Sequence, residues 1–207
     1  MTGQLNSIYN QPFDYQFLKG LLVNYRYPRN KISKLLKSGE IIALKSGLYI
    51  LSDIFHKPII PETVANLLYG PSYVSLDYAL AYYNLIPEIA SNVSSVTTGR
   101  RKTYQTPIGT FIYHHLKEDY YNIGYLVQKS GDTNYLIASP EKAVCDKLYL
   151  SPRLPDANSL EQFLFEDLRL DSAALQNLDA KLISKLAAAA GKANLNLLKK
   201  MMTKNEQ

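Results

Sequence analysis

Apolar positions change period several times along the chain. In Phe13–Tyr25, residues Phe13, Phe17, Leu18, Leu21 and Leu22 recur at helical spacing, and Asp14 stands where an acid favours a helix N-terminus. The stretch "RYP" breaks this pattern, because the residue before a proline avoids helical geometry. A second helix is expected over "PRNKISKLLKSG", with Pro28 at the first helical position or Asn30 as cap, and Gly39 as its C-terminal stop. Glu40–Leu51 then reads as two strands around the turn Lys45-Ser46-Gly47, where Gly47 suits the left-handed conformation of a three-residue hairpin loop. Ile42, Leu44, Leu48 and Ile50 are expected to close a small core under these helices.

"HKPIIPE" carries two prolines and reads as a linker at residues 56–61. A helix is expected at "ETVANLLY", stopped by Gly70-Pro71, and another at "SLDYALAYYN" behind Ser75 as cap. "SSVTT", "KTYQT" and "GTFIYHH" are rich in β-branched and aromatic residues and predict strands. "YLVQKSGDTNYLIAS" predicts a further hairpin, and "SPEKAVCDKLYL" a helix capped by Ser139 with Pro140 at its first position. Beyond Ser159 the pattern is amphipathic and helical. Leu175, Leu178, Leu182, Ile183 and Leu186 form one stripe, and Gly191 interrupts it before Leu197, Leu198 and Met201. The expected fold class is α+β. A winged helix-turn-helix occupies residues 1–55, and a larger mixed domain with an antiparallel sheet and a helical C-terminal tail occupies 62–207.

Charge changes this picture more than composition does. Hydrophobic content of 46% and charged content of 20% are ordinary for a folded soluble protein. Up to Ile60, however, eight cations (Lys19, Arg26, Arg29, Lys31, Lys34, Lys37, Lys45, Lys57) face three acids (Asp14, Glu40, Asp53). That balance already equals the whole chain's net charge of +5. The basic excess therefore belongs to the N-terminal quarter, which suits a polyanionic partner or, more plainly, a solvated basic face.

Projecting Lys31–Lys37 at about 100° per residue puts Ile32, Leu35 and Leu36 on one face, to pack on the first helix. Asn30, Ser33, Lys34 and Lys37 lie opposite, flanked by Arg26, Arg29 and Lys31. Such a face offers donors to phosphate oxygens, and Asn30 matches adenine bidentately in a major groove. Lys45 and Ser46 would stand at the wing tip, within reach of a phosphate. Double-stranded DNA is the partner this set fits, and two-fold operators make a dimer on DNA compatible with it.

Catalytic signatures do not appear. His114 and His115 are adjacent on a strand and point to opposite faces, and no His or Cys pair has zinc spacing. No G-x-S-x-G, Walker-A or G-x-G-x-x-G motif occurs, no Glu or Gln has Lys two residues later, and no D-x-D pair is present. No metal, cofactor or enzymatic activity is expected. Gly99-Arg100-Arg101-Lys102 is a second basic cluster, suited to nucleic acid, an acidic partner or solvent alike. Cys145, the lone cysteine, reads as a small core residue, and a single thiol suits a reducing cytoplasm. The seventeen tyrosines are read as core residues whose hydroxyls reach its edge, with a Tyr-lined groove as the alternative. No apolar run approaches the ~18–20 residues of a membrane span, and "MTGQLNSIYNQPFDY" lacks the basic start and apolar core of a secretory signal.

Four blocks in order, "PRNKISKLLKSGEIIALKSGLYIL", "YGPSYVSLDYALAYYNLIPE", "SSVTTGRRKTYQTPIGTFIYHHL" and "IASPEKAVCDKLYL", followed by "KLISKLAAAAGKANLNLLKKM", resemble the AbiEi antitoxins of bacterial type IV toxin–antitoxin systems. The resemblance implies a winged helix that binds operator DNA and represses its own operon. It assigns recognition to Arg29, Asn30, Ser33, Lys34 and Lys37, and the wing to Lys45 and Ser46. It also implies a larger domain that counters a nucleotidyltransferase-like toxin, not necessarily through a stable complex, and it supplies no catalytic site. A ligand-responsive regulator without a toxin partner, and a nuclease carried by the basic head, are the alternatives.

Overall fold

A computed structural model of the chain describes residues 11–52 and 58–204. The start of the expected linker, His56 and Lys57, and the first ten residues lie outside that set. The fold is mixed α and β.

The N-terminal unit begins with strand β1 (Phe13–Asp14), not with helix as the periodicity of Phe13 suggested. Asp14 ends that strand and caps helix α1 (Tyr15–Leu21), its carboxylate accepting from the Phe17 amide at 2.8 Å. Helix α2 (Pro28–Lys37) starts on Pro28, whose missing N–H costs nothing at that position. It ends in a Schellman motif: the Glu40 amide donates to Leu35 O and the Gly39 amide to Leu36 O, with Gly39 at φ +71°. Strands β2 (Ile41–Lys45) and β3 (Leu48–Leu51) form the expected hairpin, and β3 is the middle strand of the order β1-β3-β2.

This hairpin has two buried faces. Ile41 and Leu51 join Phe13, Leu18, Leu22, Ile32 and Leu35 in a small cluster. Leu44 and Ile50, with half-buried Ile42 and Leu48, point the other way and belong to the main core. The expectation that Ile42, Leu44, Leu48 and Ile50 close the small core is thus corrected. A strand apolar on both faces carries no alternation to say which face is which.

Pro58–Ile60 leads into helix α3 (Pro61–Leu68), so Pro61 opens a helix instead of ending the linker. Strand β4 (Ser72–Val74), helix α4 (Leu76–Tyr82), strands β5 (Val93–Thr97), β6 (Lys102–Thr106) and β7 (Gly109–His115), helix α5 (Glu118–Tyr121) and strands β8 (Tyr125–Ser130) and β9 (Thr133–Ala138) follow. The six strands make one sheet in the order β6-β7-β5-β4-β9-β8. The sheet is mixed, not antiparallel: β4 runs parallel to β9, and β5 parallel to β7. Long-range pairing decides these directions, and no local pattern reports it.

Helix α6 (Pro140–Leu150) starts as expected, Ser139 Oγ accepting from the Lys142 amide at 3.2 Å. It packs against α4 and β9. Helix α7 (Ala157–Gln162) continues into a π-helical turn at Phe163–Asp167. The predicted single stripe from Leu175 to Leu186 is two helices, α8 (Ser172–Gln176) and α9 (Ala180–Ala190). Asp179 makes the break, its carboxylate accepting from the Lys181 and Leu182 amides as a new N-cap. After Gly191, α10 (Ala193–Lys204) buries Leu195, Leu198 and Met202 in the main core, so the C-terminal helices are part of the body and not a tail. Among the described residues, no helix is long and apolar enough to cross a membrane.

Candidate nucleic-acid interface

Helix α2 is held by Ile32 and Leu35, which bury their side chains against α1 and the hairpin. Burying one side of a short helix fixes what the other side presents. Arg29, Asn30, Ser33, Lys34 and Lys37 are all exposed. Among the described residues, none of them forms an ion pair. Arg29 Nε lies 3.4 Å from the Tyr15 hydroxyl, which accepts from it, so α1 steadies that guanidinium. The Arg26 guanidinium sits 5.4 Å from the Tyr27 ring centroid, and the Lys31 ammonium, half-buried, 6.0 Å from that of Tyr25. Aromatic rings lower the freedom of these side chains without neutralising them. Leu36, expected beneath the helix, is 36% exposed and lies beside the cations.

The turn differs from expectation. Lys45 does not project from the hairpin tip. Its ammonium donates to the Leu68 carbonyl at the end of α3 at 2.6 Å and lies 5.8 Å from the Tyr104 ring centroid. The β2–β3 register shifts between Ala43 and Lys45, so Lys45 pairs with Leu48 and comes to the face of Ile42, Leu48 and Ile50, which meets the body. Ser46 alone remains exposed at the turn.

Tyr104 also receives Lys102, whose ammonium is 5.5 Å from the same ring centroid. The second basic cluster is therefore divided by the sheet. Strand alternation sends Lys102 toward the hairpin, while Arg101 takes the opposite face and lines a groove of about 940 Å³ with His114 and Lys147. Arg100 is exposed at the strand junction. The structure joins Lys102 to Lys45 through a tyrosine, and brings neither Arg100 nor Arg101 into the α2 face. Burial, with Arg101 and Lys147 nearby, holds the His114 imidazole below its usual range, against an opposing pull from Asp77.

A second constellation went unseen in the sequence. Lys142 and Asp146, one helical turn apart on α6, are both fully buried with Nζ and Oδ1 3.2 Å apart. The Lys142 ammonium donates to the Tyr120 carbonyl at 2.8 Å and stands 3.2 Å from the Tyr120 ring centroid. Asp146 Oδ2 accepts from Ser75 Oγ at 2.7 Å and from the Tyr73 hydroxyl at 3.0 Å. Ser75 does precede α4, but its hydroxyl serves Asp146 and not the helix end. Burial pushes Lys142 down and Asp146 up, and each partner's charge opposes the shift. The pair ties α6 to β4, α4 and α5 from inside the core. Its available signal was a Lys–Asp pair at i, i+4 set among Ala143, Val144, Cys145 and Leu148.

Cys145 is fully buried and burial pushes its thiol up, which makes it a packing residue. Several tyrosines behave as core residues with anchored hydroxyls, Tyr113 donating to Ala65 O at 2.6 Å, Tyr83 to Ala138 O at 2.9 Å and Tyr78 to a Glu62 oxygen at 2.8 Å, whereas Tyr25, Tyr27 and Tyr82 are exposed. No protein-family model matches this chain, and no curated protein matches it either.

Proposed function

We propose that this chain is a DNA-binding antitoxin that represses its own toxin–antitoxin operon and counteracts a nucleotidyltransferase-like toxin. Phe13–Leu51 act as the winged helix-turn-helix, with α2 as the reader. The observation that carries this reading is the exposed face of α2, where Asn30, Ser33, Lys34 and Lys37 stand together without acidic neighbours in ion-pair contact. Lys34, Lys37 and Arg29 hold phosphates, Ser33 donates to the backbone, and Asn30 reads a base edge. Lys45 fastens the hairpin to the body, so Ser46 is what the turn offers to DNA. The antitoxin half of the proposal rests on the ordered resemblance of the sequence blocks.

The test is binding to the DNA upstream of the chain's own gene, followed by fluorescence anisotropy. Four to six phosphate contacts give a slope of log K against log salt of about −4 to −5. Lys34→Glu with Lys37→Glu should remove specific binding and leave urea unfolding within about 0.5 kcal/mol, since both side chains are exposed. Unchanged repression by the double variant refutes the reader assignment. Coexpression with the neighbouring reading frame tests the second half: the same variant should still protect the cell.

A further inference from the structure

The groove that holds Arg101 lies where the helices stop covering the sheet. Helices α4 and α6 lie over β5 and β9. Beside them Ser94 of β5 and Ile112 and His114 of β7, on one face by register and alternation, form one wall. Leu76 and Asp77 of α4, Lys147 and Leu150 of α6, and Phe163 and Leu168 at the π-helical turn form another. The volume of about 940 Å³ is that of a site for a whole small molecule.

One wall is held at a conformational cost. Buried Leu76 takes φ +58°, a left-handed conformation rare for a branched side chain. Its neighbours enforce it: the Ser75 hydroxyl donates to Asp146, and Ser94 Oγ donates to the Ser75 carbonyl and accepts from the Tyr78 amide. Next to this bend, Asp77 Oδ1 stands 2.7 Å from Lys147 Nζ. Backbone strain of this kind is concentrated at functional sites and ligand clamps.

Charge is unbalanced at the sheet end of the groove. Lys102 pairs with Tyr113 across β6 and β7, so Arg101 and His114, one residue further on, stand opposite each other. Among the described residues Arg101 forms no ion pair. Of the acids lining the groove, Glu88 is paired with Arg169 and Asp77 with Lys147. Asp77 is the one acid that acts on the His114 ring, against Arg101 and Lys147, and Asp167 does not. His115, the next residue, donates from Nδ1 to the Gly99 carbonyl at 2.9 Å. Two cations and one carboxylate thus surround an imidazole that burial and these cations keep neutral.

We propose that this groove binds a small organic anion, its oxyanion head between Arg101, Lys147 and His114 and its apolar body along Ile86, Leu150, Phe163 and Leu168. The Arg101 guanidinium meets the head as a fork, Lys147 adds charge while tied to Asp77, and the imidazole donates one N–H. The head supplies the negative charge that the sheet end lacks. The inference stands apart from DNA binding.

The full chain should be titrated with phenyl phosphate, phenylacetate, inorganic phosphate and benzyl alcohol, followed by calorimetry and by the His114 NMR resonance. At least one of the first two should bind with a Kd of about 1 mM or below, and about tenfold or more tighter than the last two. Which of them binds tighter tells a phosphate ester from a carboxylic acid as the source of the head. Binding should move the His114 resonance and raise its pKa, because a bound anion favours the charged ring. Arg101→Gln should weaken binding at least about tenfold, and Arg100→Gln, the same charge lost one residue away, less than about twofold. The His114 response of the unaltered chain locates the site even if a variant misfolds. No such response to either organic anion up to about 10 mM overturns the proposal. So does equal weakening by the two arginine variants, or binding of benzyl alcohol or inorganic phosphate as tight as that of the organic anions.

Discussion

The N-terminal unit and the body use charge in opposite ways. Around α2 the cations Arg29, Lys34 and Lys37 stand in solvent over a cluster of seven buried apolar residues. The main core, which among the described residues has thirty-six buried apolar residues including Leu44 and Ile50 of the hairpin, also encloses a lysine and an aspartate of the body completely. A small cluster holds little reserve against the cost of a desolvated charge, so its charges stay outside and remain available to a partner. A large one can enclose an ion pair, here with Ser75 and Tyr73 donating to one Asp146 oxygen, Lys142 facing the other and also donating to the Tyr120 carbonyl. The outward charges are thus candidates for recognition, and the inward pair is a positioning device.

The largest effect separating the two regions should come from Asp146→Ala. It leaves the Lys142 ammonium without its counter-charge and Ser75 and Tyr73 without their acceptor. Such a loss costs about 3–5 kcal/mol, read as a lower urea midpoint. Asp146→Leu with Lys142→Met should recover much of it, because the pair's absence is cheaper than its half-removal. If the single variant loses under 1 kcal/mol, the enclosed charge is not what it is taken to be here.

Lys45 sits on the boundary of this comparison, and Lys45→Met should have an intermediate effect. Its charged hydrogen bond to the Leu68 carbonyl contributes about 1.5–3 kcal/mol, part of which the methionine stem keeps by packing. Stability should fall while the salt slope of DNA binding stays unchanged, since this ammonium faces the body. A slope smaller by about one would return Lys45 to the DNA contacts.

The order of the N-terminal elements was readable because Pro28, Gly39 and Ser46-Gly47 are punctuation whose mechanism is local. The hairpin's orientation was not, because Ile41-Ile42 and Leu48–Leu51 are apolar on both faces. That ambiguity, together with the register shift between Ala43 and Lys45, accounts for the place of Lys45. The Leu175–Leu186 stripe hid a boundary that Asp179 marked, since an acid within an amphipathic run reads equally as surface. Lys142 and Asp146 read as surface residues in the sequence, because lysine and aspartate are almost never fully buried. The outward face of α2 was legible almost in full, apart from Leu36, since a helical projection needs nothing but the positions of Ile32 and Leu35.

The smallest effect concerns pH, and it tests whether the body's half-buried charges act on one another. Burial first, then Arg101, depresses His114, so the folded protein prefers the neutral ring. In the unfolded chain the same imidazole titrates near about 6.5. As pH falls through that value the unfolded state takes up its proton first, and stability declines until the lower folded value is reached. The window therefore opens near pH 6.5 and extends downward. His114→Gln cannot titrate and should flatten this part of the stability profile between about pH 7 and 5. Arg101→Gln should do less, because it removes the second cause and leaves burial in place. An NMR titration separates the two causes directly: the His114 resonance should move toward 6.5 in Arg101→Gln without reaching it. A shift that reaches the ordinary value assigns the depression to charge, and His114 then belongs with the outward-facing groups.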